Sequence, residues 1–232
     1  MNDRRDTEHR ESVLLSIGIN IAIPALVLMK LSSAERLGPV LALLLALAFP
    51  LTYGLVDFVR RREWNLISGL GFASVLLTGG IGLLGLDPKW IAVKEAAVPA
   101  IIGIAVVASM RTRLPIVRRL LYNERIIRVE EVDRALDEQG NRSAFERVLG
   151  AVSWLLAGSF FVSAVLNFVL AKVIVKSPPG TAEFNAELGR MTALSYPVIV
   201  VPSMAIMAAA LWYLFRSIRR LTRLDLEKIL RS

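Results

Sequence analysis

The chain has 232 residues, 55% of them hydrophobic, yet it carries 28 Lys and Arg against 20 Asp and Glu for a net charge of +8. It has no cysteine and a single histidine, His9, ahead of the first apolar stretch; this excludes a disulfide framework, thiolate chemistry and histidine-based acid–base or metal chemistry inside the fold. Apolar and charged residues are segregated into charge-poor stretches of about 20 residues, a pattern that membrane-spanning helices require and that interleaved soluble domains lack.

In chain order, six spans are expected, at about 12–29, 37–59, 64–84, 91–110, 148–171 and 191–215. The first follows a tail as acidic as it is basic, and its apolar run exceeds the usual signal-peptide core, so it reads as a span rather than a leader. Asn20, near its middle, is a candidate for interhelical hydrogen bonding or for a polar cluster. In the second span, Asp57 is compensated locally by Arg60, Arg61 and Arg62.

The third span carries Gly71, Ser74, Thr78, Gly82 and Gly85 within about 80° of the helical wheel, a small-residue stripe suited to close packing against another helix. Trp64 and Trp90 fit interfacial positions at opposite boundaries. Asp87 and Pro88 supply a cap and a first-turn proline for the fourth span. That span has a small face of its own, Ala92, Ala96, Pro99 and Gly103, which suggests that spans three and four pair as a hairpin.

Lys94 and Glu95 are the charges that matter most, because ionisable groups inside a bilayer are costly. Lysine can extend its ammonium toward the headgroups; glutamate reaches less far and needs water, protein or a cation. Neighbouring positions on a helix diverge, so a direct Lys94–Glu95 pair is not expected and a partner from another helix is. The fifth span offers Ser159, Ser163 and Asn167 at intervals of four. The candidate intramembrane polar cluster is therefore Glu95, Lys94, Asn167, Ser163, Thr78 and Asn20.

The connection 111–147 is the one large polar element. Residues 113–122, with Pro115 in the first turn, read as a short amphipathic helix on the inner leaflet. Val129, Val132 and Leu136, then Gly140, mark a second helix. Ser143 with Glu146 three residues on has capping-box spacing for the fifth span, and the region is too short for an independent domain. Between spans five and six, 177–180 reads as a turn, after which Thr181 caps a short interfacial helix carrying Phe184, Leu188 and Met191. Pro197 and Pro202 should kink or open the sixth helix. Beyond it, Arg216, Arg219, Arg220 and Arg223 form an anionic-lipid anchor in a basic tail, 216–232.

Of the 28 basic residues, 21 fall in the N-terminal tail, the second and fourth connections and the C-terminal tail. By the positive-inside rule these face the cytoplasm. The expected fold is thus an all-α polytopic integral membrane protein, a single membrane domain over 1–232, with six transmembrane helices in three hairpins and both termini cytoplasmic. The basic excess flanks spans rather than forming a nucleic-acid face. No metalloprotease, nucleophile-elbow, P-loop or dinucleotide motif is present, so no enzymatic activity and no cofactor or metal are expected.

Several segments in order carry a family resemblance: Gly71-Phe-Ala-Ser-Val-Leu-Leu-Thr-Gly-Gly-Ile-Gly-Leu, Lys89-Trp90, Lys94, Arg113-Leu-Pro-Ile-Val-Arg-Arg-Leu-Leu, Leu166-Asn167-Phe168, Phe184-Asn185, and Gly-Arg-Met-Thr-Ala-Leu from Gly189. Together, over roughly 16–202, these resemble the intracellular septation protein A (YciB) family, with a longer 122–147 connection and outer loop that look like a distant branch. The resemblance implies a bacterial inner-membrane protein of envelope maintenance and septation, with envelope or division proteins as partners and no catalytic residues to carry over. The residues themselves leave a second reading, a small carrier or channel built around Glu95.

Overall fold

A computed structural model of the chain describes residues 21–61, 66–112, 115–122, 124 and 127–229. Among them every regular element is helical: α1 Ile23–Leu31, α2 Gly38–Arg61, α3 Leu66–Leu83, α4 Lys89–Ser109, α5 Ile116–Leu121, α6 Val129–Glu138, α7 Arg142–Ile174, α8 Ala182–Ser195, a π-helical turn Tyr196–Val200, α9 Val201–Thr222 and α10 Leu226–Ile229. Four helical stretches are long and apolar enough to cross a membrane: Gly38–Val56, Lys89–Ser109, Arg142–Ile174 and the continuous run Ala182–Thr222. Half of the expected first span, residues 12–20, and the inner end of the third lie outside the described residues, and with them Asn20 and Trp64.

The long helices bury at most 22% of their apolar windows, leaving Leu41, Leu44, Ile101, Ile104, Val165, Val169, Val201 and Met204 exposed. Water would penalise so much apolar surface, whereas hydrocarbon is indifferent to it. A helix meets most of its backbone polar groups internally, as a bilayer demands, although Pro50 and Pro99 interrupt the ladder in two of these runs.

The chain divides into two compact units, one comprising residues up to Val98 with Leu166–Ile199, the other Pro99–Val165 with residues from Val200 onward. In the first, Val27, Leu28, Ala42, Leu43, Ala46, Ile81, Ile91, Phe184 and Leu188 form the core. Glycine sets the closest approaches. A Cβ on Gly82 would stand 2.6 Å from Leu43 Cδ2 and one on Gly79 2.7 Å from Leu47 Cδ1, so the small face of α3 receives leucines of α2. A Cβ on Gly189 would meet Ala25 O at 2.8 Å and Met29 Cγ at 2.7 Å, so α8 lies directly on the α1 backbone.

Gly85 does not belong to that stripe. It lies beyond the end of α3 at φ +66, and the Leu86 N–H returns to Ile81 O at 3.1 Å, a left-handed glycine helix stop; the helix ends before the wheel reaches it. Thr181 caps α8 by accepting from the Phe184 N–H at 3.2 Å. Phe184, Leu188 and Met191, expected at the interface, are buried within the protein, and α8 runs on through the π turn into α9, so the last helical run begins at Ala182 rather than at 191. Pro197 falls inside the π turn and Pro202 in the first turn of α9. A proline removes one amide donor and displaces the carbonyl four residues earlier, which a widened turn accommodates.

In the second unit the polar connection is folded onto helix ends. Val117, Tyr122, Ile127, Val132 and Leu136 join Phe145, Leu149, Val152, Ala210, Leu214, Ile218 and Ile229 in one core. The face of α5 expected on a leaflet thus points its Val117 into protein. The Ser109 hydroxyl donates to Val106 O at 2.7 Å and accepts from the Ile116 N–H at 3.0 Å, closing the α4–α5 turn. Gly140, at φ +65, stops α6 with Asn141 N–H on Leu136 O at 2.8 Å. The capping box does not form: α7 starts at Arg142, and Glu146 pairs instead with Arg118 at 2.8 Å. Gly103, expected to face span three, has the rings of Phe160 and Phe161 of α7 against it.

Candidate functional site

The first unit gathers the intramembrane charges. Lys94 Nζ reaches Glu95 Oε1 at 2.7 Å, Thr78 Oγ1 at 2.8 Å and Ser74 Oγ at 3.1 Å. An ammonium has three donors, and all are used. Thr78 in turn donates to Ser74 O at 3.0 Å. Lys94 does not run to the headgroups, because its side chain is 7% exposed and turned onto α3. It also does pair with Glu95: four methylenes let the lysine bend back along α4 far enough to offset the divergence of adjacent positions. Glu95 keeps 26% of its side chain exposed.

Of the other expected members, Asn20 lies outside the described residues. Asn167 and Ser163 both stand on α7, Asn167 in the unit that holds this network and Ser163 in the other, and each has an interaction of its own. Ser159 donates to Ser203 O at 3.1 Å, which ties α7 to α9 rather than extending a polar stripe. Of the small residues, Ser74 and Thr78 meet Lys94 of α4 while Gly82 meets α2. Gly71 lies on α3, nearer its N-terminal end.

Sequence reasoning passed over a second polar centre. Asn185, 1% exposed, donates through Nδ2 to Pro39 O at 2.7 Å and to Ser32 Oγ at 3.0 Å, and Ser32 donates to Leu28 O. Beside it Glu187 accepts the backbone N–H groups of Lys176 and Ser177 at 2.8 and 2.9 Å and the Ser177 hydroxyl at 2.8 Å. The available signal was a lone Asn next to Phe184 on an otherwise apolar helical stripe. Outside the spans, Asp87 accepts from the Lys89 N–H at 2.9 Å, which holds its carboxyl below the ordinary range.

In the second unit, Tyr122 donates to Asp133 Oδ1 at 2.9 Å, and Arg142 bridges Asp133 and Asp137 at 3.6 and 2.7 Å. Burial first, and then the Asp133 carboxylate, push the Tyr122 hydroxyl well above its ordinary pKa. Asn141 donates to Leu221 O at 2.8 Å, and the Arg128 N–H to Ile229 O at 2.9 Å, so the connection is stitched to the C-terminal segment. At the end of α9, Trp212, Phe215, Arg216, Arg219, Arg220, Arg223, Leu224 and Asp225 line an open cleft of about 660 Å³. Among the described residues no group of three or more His, Asp or Glu side chains is placed to hold a metal ion.

No protein-family model, curated protein or solved structure matches this chain. Its class is set by the fold itself: among the described residues every regular element is helical and four helices are long and apolar enough to span a bilayer, the build of a multi-pass membrane protein.

Proposed function

We propose that the protein is a non-enzymatic, six-span component of the bacterial cytoplasmic membrane that supports envelope organisation or septation through helix packing and protein contacts, with both termini in the cytoplasm. The family resemblance of the sequence motivates this reading, and the single observation that supports it best is the closure of the Lys94 network. A lysine whose three donors are taken by Glu95, Ser74 and Thr78 fastens α4 to α3. A buried cation satisfied in this way is a staple, since a transported ion or proton would have to break three bonds to displace it. The described part of the 111–147 connection, packed through Val117, Tyr122, Val132 and Leu136, offers a surface to cytoplasmic partners.

The test is recovery of envelope or division proteins with the full chain from gentle detergent, together with cell morphology on deletion. Normal morphology and no such protein recovered would sink the reading.

A carrier or channel is the second reading, favoured by the partial exposure of Glu95 and by the widened π turn that carries Pro197 within the last helical run. Flux in reconstituted vesicles that Glu95→Gln abolishes would establish it, and a broad solute panel without flux would remove it.

A further inference from the structure

The cleft at the end of α9 has a more definite chemistry than a basic tail. Arg216, Arg219, Arg220 and Arg223 recur at helical intervals of three and four, so they share one face along about 10 Å of helix. Arg223 ends α9 in the left-handed conformation, φ 60, with its N–H on Arg219 O at 2.9 Å. Leu224 and Asp225, just past that reversal, also line the cleft. On the side of the apolar run, the Arg216 guanidinium lies 5.3 Å from the centre of the Trp212 ring. Trp212 is itself exposed, as an indole at a membrane–water boundary is. Among the described residues none of the four arginines forms an ion pair, although Arg118, Arg128 and Arg142 of the same unit all do. Asp225 is the one carboxylate among the described lining residues, an excess of three positive charges in a concavity that Trp212 and Phe215 border.

The geometry points to a binding site for the headgroup of a membrane phospholipid that carries two phosphodiester groups. One phosphodiester has two non-bridging oxygens and occupies one or two guanidinium forks. Four forks spread along the helix, with a net excess of three charges, match two phosphates better than one. The placement of Trp212 and Phe215 beside them favours a ligand whose acyl chains continue along the apolar face of α9. The inference rests on the reading that this end of α9 lies at the cytoplasmic membrane surface.

The experiment is native mass spectrometry of the detergent-solubilised full chain. The probes are a two-phosphate lipid (cardiolipin), phosphatidylglycerol, a zwitterionic lipid and inorganic pyrophosphate. Arg219→Gln with Arg220→Gln is compared with Arg134→Gln with Arg147→Gln, an equal loss of charge from exposed positions on α6 and α7; circular dichroism checks that helix content is kept. The expected result is that the first pair weakens cardiolipin binding roughly tenfold or more and the second leaves it unchanged. Equal weakening by both pairs would overturn the site while leaving anionic-lipid attraction in place. Phosphatidylglycerol binding as tightly as cardiolipin would overturn the two-phosphate assignment, and tight pyrophosphate binding that displaces the lipid would make this a site for a soluble phosphate. No preference for anionic over zwitterionic lipid would overturn the proposal together with the surface placement beneath it.

Discussion

Asn185 donates a 2.7 Å hydrogen bond to the carbonyl of Pro39, 146 residues away in the chain, at a position only 1% exposed. Its second amide proton goes to Ser32, so a single side chain holds the α1–α2 connection against α8. Replacing it with leucine keeps the volume but removes the amide donor that Pro39 O and Ser32 Oγ share, one bond part-buried and the other buried. Asn185→Leu should therefore cost about 1–3 kcal/mol, read as a lower midpoint of thermal unfolding in detergent; Ser32→Ala, which leaves Pro39 O satisfied, should cost less. Equal losses would mean that the Pro39 bond is not the dominant one.

The Lys94–Glu95 pair calls for a double-mutant cycle. Glu95→Gln removes the counter-charge and leaves an ammonium between two helices, with an expected loss of about 2–4 kcal/mol. Adding Lys94→Met should recover most of it, because the Ser74 and Thr78 hydroxyls can fall back on carbonyls of their own helix, as Thr78 already does with Ser74 O. Additive losses in the cycle would show that the two side chains are not coupled.

Close approach at glycine gives a prediction with two signs. Gly189→Ala drives a methyl group to within 2.8 Å of the Ala25 carbonyl, and the α1 backbone cannot yield as a side-chain tip can. Overpacking of this kind typically costs about 1–3 kcal/mol. Gly150→Ala, inside α7 with nothing near its Cβ, should instead stabilise by about 0.5–1 kcal/mol through reduced unfolded-chain entropy. Both are read from unfolding midpoints, and a destabilised Gly150→Ala would contradict the open space assigned to it.

How much of this was readable beforehand depended on the range of the interaction. Helix ends are written locally: Thr181 three residues before the amide it accepts from, Gly140 after an apolar stripe, Asp87 before Lys89. The apolar runs are equally local, because a bilayer selects each for itself. The choice of partner is not. The wheel placed Gly82 and Gly85 on one stripe, but only the point where α3 stops separates the packing glycine from the capping one. Lys94 and Glu95 were kept apart by the angle between neighbouring positions, and a flexible lysine stem overrode that angle once Ser74 and Thr78 were in reach. Asn185 stands out in the sequence only as a lone amide on an apolar stripe; its value comes from Ser32 and Pro39, which no spacing within α8 can announce.

Tyr122 predicts the alkaline behaviour of the second unit. Its folded pKa is raised, by burial first and by Asp133 next, so its contribution is intact below the unfolded phenol value of about 10 and is lost as pH climbs through the raised one. Alkaline titration should loosen the 111–147 segment, seen as faster protease cleavage, and Tyr122→Phe should flatten that dependence at a cost of about 1 kcal/mol near neutrality. An unchanged cleavage profile would assign the alkaline opening to another group.

Topology can be tested cleanly because the chain contains no cysteine, so one introduced thiol is the only one that reports. Glu138→Cys places it at an exposed position of α6 and Lys89→Cys at the exposed start of α4, where Lys89, its side chain 67% exposed, pairs with Asp87. With 21 of 28 basic residues assigned to one face, the positive-inside rule puts 138 in the cytoplasm and 89 outside. A membrane-impermeant maleimide applied to intact spheroplasts should label Lys89→Cys and spare Glu138→Cys, and disrupting the membrane should expose both. The two positions are separated by α4, which can cross once, so they must label from opposite sides if α4 spans the bilayer. Labelling of both from outside would remove α4 as a span, and the reverse pattern would invert the protein and carry the arginine cleft to the wrong leaflet.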